Sequence, residues 1–169
     1  MMLPELSKYQ VKYSWQKAYL DGFIKKGWPS SKNEEWKFTS LSGLFEKPLV
    51  LASKLEGNTR LNNGITDEEV HRIVFRNGIF DSKLSDDGSS HVVVTNLFDD
   101  DEALQSLNQP QINDHPILNL TLGVMKSAVL VDVSVAPGDK TPFIELYFTG
   151  GLFQQSAHPV IMIRVAEEA

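Results

Sequence analysis

Val129-Leu130-Val131-Asp132-Val133-Ser134-Val135 places a valine at every second position, the period of a strand with one face turned to a core. Pro137-Gly138 then turns the chain, and Ile144, Leu146 and Phe148 alternate in the same way before Gly150-Gly151. A third run follows from Val160 to Val165. Three short strands at intervals of roughly 15–16 residues resemble rungs of a sheet or solenoid more than a hairpin meander. The last third of the chain is therefore expected to be β, and its ending at Glu167-Glu168-Ala169 directly after a strand suggests a truncated piece of a longer solenoid.

Upstream, Ile117-Leu118-Asn119-Leu120-Thr121-Leu122-Gly123-Val124 fits both the strand and the helix period. Asp114 as N-cap and Pro116 in a first turn favour a helix. Asp99-Asp100-Asp101-Glu102 suits the start of a helix running to about Leu107, because acids stabilise the positive end of the dipole. His91-Val92-Val93-Val94 reads as a short strand after the Ser/Asp/Gly loop 82–90. Between Arg72 and Phe80, two β-rich runs flank Asn77-Gly78, the strongest short hairpin signal. Thr66-Asp67-Glu68-Glu69 allows at most one helical turn ahead of that hairpin, and Ala52 to Gly64 reads as a polar linker.

Toward the N-terminus, a helix is predicted from about Pro4 to Lys26, with Tyr9, Tyr13, Leu20 and Ile24 as its apolar stripe and Gln16 interrupting it. Ser7 and Gln10 offer a capping box, or Pro4 a first turn; Lys25, Lys26, Gly27 and Pro29 mark the end. Beyond Pro29 the chain is read as extended, with Trp36 and Phe38 on one face docking against an apolar surface. Thr39 is placed as the cap of a short helix carrying Leu41, Leu44 and Phe45 and ended by Pro48.

The 169 residues suffice for one domain with a sizeable core, or for one domain and part of a second. A net charge of −6 without a basic cluster argues against nucleic acid or an anionic membrane as partner. No apolar run reaches the length of a membrane span and no secretory signal is visible, so a cytoplasmic location is expected. The absence of cysteine removes disulfides, a thiolate nucleophile and the usual ligands of zinc or iron–sulfur sites.

Chemistry-bearing constellations are sparse. His71, His91, His115 and His158 stand in separate segments, and a single Glu68-x-x-His71 lacks the second copy that a bundle metal site uses; surface or turn roles are expected for all four. Asp86-Asp87-Gly88 and the run 99–102 lack the ligand pattern of an EF-hand. Neither a phosphate-binding glycine loop nor a G-x-S-x-G elbow occurs. Ser156 lies too near His158 in sequence to read as a catalytic pair, and Glu145 on a strand is a weak candidate for glycoside hydrolysis. No catalytic, cofactor-binding or metal-ligating residue is assigned.

One stretch is specific enough to carry a resemblance. Pro29, Lys32, Glu34, Trp36-Lys37-Phe38-Thr39 and Leu41 resemble the P-x-x-[KR]-x-E-x-W-[KR]-[YF]-[ST]-x-L segment near the N-terminus of the SufB/SufD family, on its SufD side, from the SUF iron–sulfur cluster assembly machinery. Ile73-Val74-Phe75 with Asn77-Gly78 and Phe80 resembles the family hairpin. Ala128 to Val135, Ile144 to Phe148 and His158-Pro159-Val160-Ile161 resemble the entry into its β-helical core. Phe38 departs from the pattern, standing where the family often has tyrosine.

That resemblance implies an α+β fold: an N-terminal helical and mixed region, placed at residues 1–110, followed at 111–169 by the first strands of a β-helix. It further implies a non-enzymatic scaffold acting through a SufB-like paralogue and a SufC-like ATPase, the latter through regions outside these residues. Iron–sulfur cluster and ATP would be associated with the full complex and no cofactor with this chain. Nucleic acid and membrane are not expected partners. The competing reading is a β-solenoid that binds or cleaves polysaccharide, which would need exposed aromatics or paired acids on a strand face.

Overall fold

The computed structural model describes residues 6, 9–41, 43, 50–57, 61, 70–108, 115–150 and 155–166. The chain is a mixture of helix and sheet. Its strands are β1 (Val50–Leu51), β2 (Val70–Arg76), β3 (Ile79–Phe80), β4 (Val92–Asn96), β5 (Ser127–Val133), β6 (Phe143–Thr149), β7 (Gln155–Ser156) and β8 (Pro159–Val165). The α-helices whose bounds lie among the described residues are α1 (Ser14–Lys26), α2 (Asp101–Gln105) and α3 (Pro116–Val124).

The alternating valines form β5 as expected, and the two later runs form β6 and β8. How they pair was not visible in the alternation. β8 lies parallel on β5, with Val129 opposite Ile161 and Asp132 opposite Arg164, and β4 closes the other side of β5 antiparallel. β6 lies parallel not on its sequence neighbour β5 but on β2, pairing Ile73 with Leu146 and Phe75 with Phe148, while β3 covers the far edge of β2. A third, two-residue parallel contact joins β1 to β7. The register sets ring on ring and opposite charges side by side: Phe75 stacks on Phe148 at 5.0 Å, and ion pairs join Arg72 to Glu145 and Asp132 to Arg164 across the ladders. The sheets face each other, and Ile73, Phe75, Val92, Val129 and Val131, each 0 or 1% exposed, fill the space between them.

The Asn77-Gly78 hairpin is present. Both residues have positive φ, 52° and 76°, as a type I′ turn requires. The ambiguous segment 117–124 is a helix, but its N-cap is His115, whose Nδ1 accepts from the Leu118 amide, and not Asp114. The acidic helix begins at Asp101, two residues later than predicted, and ends at Gln105 rather than at about Leu107. Leu97–Asp99 forms a 3-10 turn, and the Asp100 carboxylate then accepts from the Glu102 and Ala103 amides to start α2.

The N-terminal helix is shorter than its periodicity suggested. It starts at Ser14, where the Gln16 side chain accepts from the Tyr13 amide, so Tyr9 and Tyr13 lie outside it. The buried face is Trp15, Gln16, Tyr19, Leu20 and Phe23 rather than the Tyr9–Tyr13–Leu20–Ile24 stripe. Gln16 belongs to that face because its Nε2 donates to the Leu122 carbonyl of α3. The two helices approach closely: a Cβ on Gly123 would lie 2.9 Å from the Leu20 backbone. Gly27 ends α1 as expected, with φ 71° and its amide donating to the Phe23 carbonyl at 2.7 Å.

The larger correction concerns the segment after Pro29. Turns and a 3-10 helix over Glu34–Trp36 replace the extended arm, and Phe38 is 93% exposed instead of docked. Local polar groups account for this. Asn33 Oδ1 accepts from the Ser30 amide at 3.0 Å, and successive amides of Asn33, Trp36, Lys37 and Thr39 bond carbonyls three residues back. Ser and Asn side chains thus satisfy the backbone within the segment, and the alternation of Trp36 and Phe38 has no ladder to follow. The short helix predicted around Leu41–Phe45 lies outside the described residues except for Leu41 and Gly43, the Ser7–Gln10 capping box except for Gln10, and the turn at Thr66–Glu69 entirely.

Candidate functional site

The signature residues are local to one stretch of surface. Pro29 is buried, Trp36 and Leu41 are half-buried, and Lys32, Glu34, Lys37, Phe38 and Thr39 are exposed. The Trp36 ring stands 6.1 Å from that of His115 at the start of α3, and Trp28 packs edge-on against Phe23 at 4.9 Å. The segment is therefore attached to the helices through Trp28 and Trp36. Lys37 lies over the Phe38 ring at 5.4 Å, so the most exposed aromatic carries a cation on its face.

A second concentration of polar groups forms where β1, β7 and the hairpin turn meet. Asn77 is 4% exposed. Its Nδ2 donates to the Ser53 carbonyl at 2.9 Å and to Gln155 Oε1 at 2.7 Å, and its amide donates to the Thr149 carbonyl at 2.8 Å. One side chain thereby ties the hairpin turn to the chain after β1 and to β7, while its backbone holds the end of β6. Gly78 presses on the same corner, since a Cβ there would meet Ala157 at 2.4 Å.

Beside it, Ser156 Oγ lies 2.6 Å from His158 Nε2, and Thr121 Oγ1 lies 3.3 Å from His158 Nδ1. Burial lowers the His158 pKa to about 4. The imidazole is then neutral at neutral pH and joins β7 to α3 through two hydroxyls. Its expected surface or turn role is corrected to a largely buried one. The geometry resembles a nucleophile and base, but a base of that acidity takes a serine proton poorly, and the group oriented behind it is a hydroxyl rather than a carboxylate. The adjoining cavity, lined by Ala52, Gly78, Lys126 and Ser156 among others, measures about 10 Å³, too small for a substrate.

The remaining candidates are dispersed. Glu145 pairs with Arg72, which also stands 5.6 Å from the Tyr147 ring, so its carboxylate serves the β2–β6 ladder. His71 meets Ser89 Oγ at 3.3 Å, and His91 meets the Ser134 carbonyl at 3.2 Å. Among the described residues no group of three or more His, Asp or Glu is placed to hold a metal ion, and no helix is long and apolar enough to cross a membrane. Sequence reasoning read Asn77 as a turn former only. Nothing in the sequence links it to Gln155, 78 residues away.

No family model matches the sequence. Over 137 residues it is 28% identical to the iron–sulfur cluster assembly protein SufD of Escherichia coli (strain K12), an alignment covering 79% of this chain and 31% of that relative. The chain thus spans less than a third of the length of the curated relative it matches. With that match, the likeness read from residues 29–41, the hairpin and the later strands becomes a relationship to SufD that runs through most of the chain.

Proposed function

We propose that this chain is the N-terminal portion of a SufD-like scaffold subunit that works in iron–sulfur cluster assembly by protein–protein contact, without catalysis of its own. The observation that carries the reading is the match to SufD through 79% of the chain. The parallel ladders β2–β6 and β5–β8 support a finer statement, that these strands are the first turns of a β-helical core following a mixed region. On this reading residues 1–110 form the N-terminal region and 111–169 open the core. The Pro29–Leu41 segment packs the helical part rather than forming a cluster site. The chain holds no cofactor, and the iron–sulfur cluster is cargo of a complex containing a SufB-like paralogue and a SufC-like ATPase in the cytoplasm.

Co-expression tests this. The full protein carrying this chain, tagged and produced with the SufB-like and SufC-like proteins of the same genome, is expected to retain both through purification. Its deletion should lower the activity of iron–sulfur enzymes in the host. Recovery of the tagged protein without either partner, together with unchanged iron–sulfur enzyme activity in the deletion, would overturn the proposal.

A further inference from the structure

Asn77-Gly78 is an asparagine followed by the one residue that leaves its own amide nitrogen unshielded, the pair most prone to intramolecular deamidation. In that reaction the Gly78 nitrogen attacks Asn77 Cγ, the Cγ–Nδ2 bond breaks, and ammonia leaves with the proton of the Gly78 amide. Water then opens the cyclic imide to aspartate or isoaspartate. The attack requires the Asn77 side chain to swing onto the following peptide. Here Nδ2 is anchored by two acceptors, the Ser53 carbonyl and Gln155 Oε1, at 4% exposure, and Gly78 is pressed against Ala157. We propose that Asn77-Gly78 is a gated deamidation site, protected while β1 and β7 are closed on the hairpin turn and converted once that corner opens.

The product cannot restore the corner. An aspartate oxygen would replace the donor that both acceptors need; the Gln155 amide can turn to offer its Nε2, but the Ser53 carbonyl is left facing a carboxylate without its donor. Conversion is therefore one-way, and each opening that ends in chemistry leaves the chain after β1 without its tie to the hairpin. The ladders β2–β6 and β5–β8 make their own backbone pairs and do not depend on it.

Trypsin cleavage at Arg76 and Lys83 isolates the site in one short peptide, Asn77–Lys83, so mass gain and isoaspartyl methylation can be read there directly. In the full chain incubated at mildly alkaline pH, conversion at Asn77 is expected to run more than about tenfold slower than in the same chain unfolded in urea, because a closed corner must first open. Gln155→Ala should accelerate it in the folded chain, whereas Gln155→Glu, which keeps an acceptor oxygen, should not. Gln155→Met, similar in length without the acceptor, makes the same test if the alanine variant does not fold. Equal rates in folded and unfolded chains, or a folded Gln155→Ala or Gln155→Met as slow as the parent, would overturn the gate. For the product, Asn77→Asp should speed hydrogen exchange at the Ala52 amide, which donates to the Ser156 carbonyl at 2.8 Å, and leave the β5–β8 amides unchanged. Unaltered protection of Ala52 in that variant would show that the tie has no such role.

Discussion

His158 makes the stability of this chain depend on pH in a window set by burial. Its pKa is about 4 in the folded chain against an ordinary 6.5, so the unfolded chain binds the proton more readily between those values. The sign follows: its contribution is complete above pH 6.5, declines as pH falls toward 4, and changes no further below. The total loss is between about 3 and 4 kcal/mol at most, at about 1.36 kcal/mol per unit. Urea midpoints measured from pH 7 to pH 4 should fall, and His158→Gln should flatten the decline over that interval. A different contrast holds in the aromatic stretch. Phe38→Ala, at a 93% exposed ring, is expected to change stability by no more than about 0.5 kcal/mol. Trp36→Ala removes a ring packed near His115 and should lower the melting temperature measurably, by a change larger than that of Phe38→Ala.

At the scale of elements, α1 and α3 define how the helical part is held. Gln16 reaches the Leu122 carbonyl, Leu20, Phe23, Leu120 and Val124 share one cluster, and Gly123 lets the two backbones approach. Gly123→Ala puts a methyl group 2.9 Å from backbone atoms of Leu20, which cannot rotate away as a side-chain end would. A destabilisation of about 1–3 kcal/mol is expected, the usual cost of overpacking, and thermal unfolding checks it. The sequence showed both helices and the glycine that ends α1. It misplaced the buried face of α1, because Tyr9 and Tyr13 continue an apolar period through residues that are not helical, whereas buried Gln16 looked like an interruption. The stretch 30–39 was misread for a related reason. Alternating rings suggest a strand, but Asn33 and Ser30 close local turns that periodicity does not register.

Across the whole molecule, the two sheets share one core. Phe75 is completely buried between Phe80, Phe148 and the residues of β5, so Phe75→Ala should cost about 3–5 kcal/mol. Because Val129 and Val131 of the other sheet line the same space, loss should reach both sheets together. Near- and far-ultraviolet circular dichroism are then expected to show coincident urea transitions shifted to a lower midpoint; separate transitions would mean that the sheets unfold independently.

The sequence by itself determined where the longer strands β2, β4, β5, β6 and β8 lie, that the valines of β5 turn inward, that Asn77-Gly78 makes a tight hairpin, and that the chain resembles SufD, since each of these is written in residues close together along the chain; the two-residue strands β1 and β7 carry no such signal. Only the tertiary structure decided which strands pair. A period of two fixes the face of a strand but not its neighbour, and β6 passes over adjacent β5 to lie on β2, where Arg72 meets Glu145 and Phe75 meets Phe148. The same is true of Asn77 and His158. Their roles depend on Ser53, Gln155 and Thr121, brought to them by the folding of distant segments into one corner.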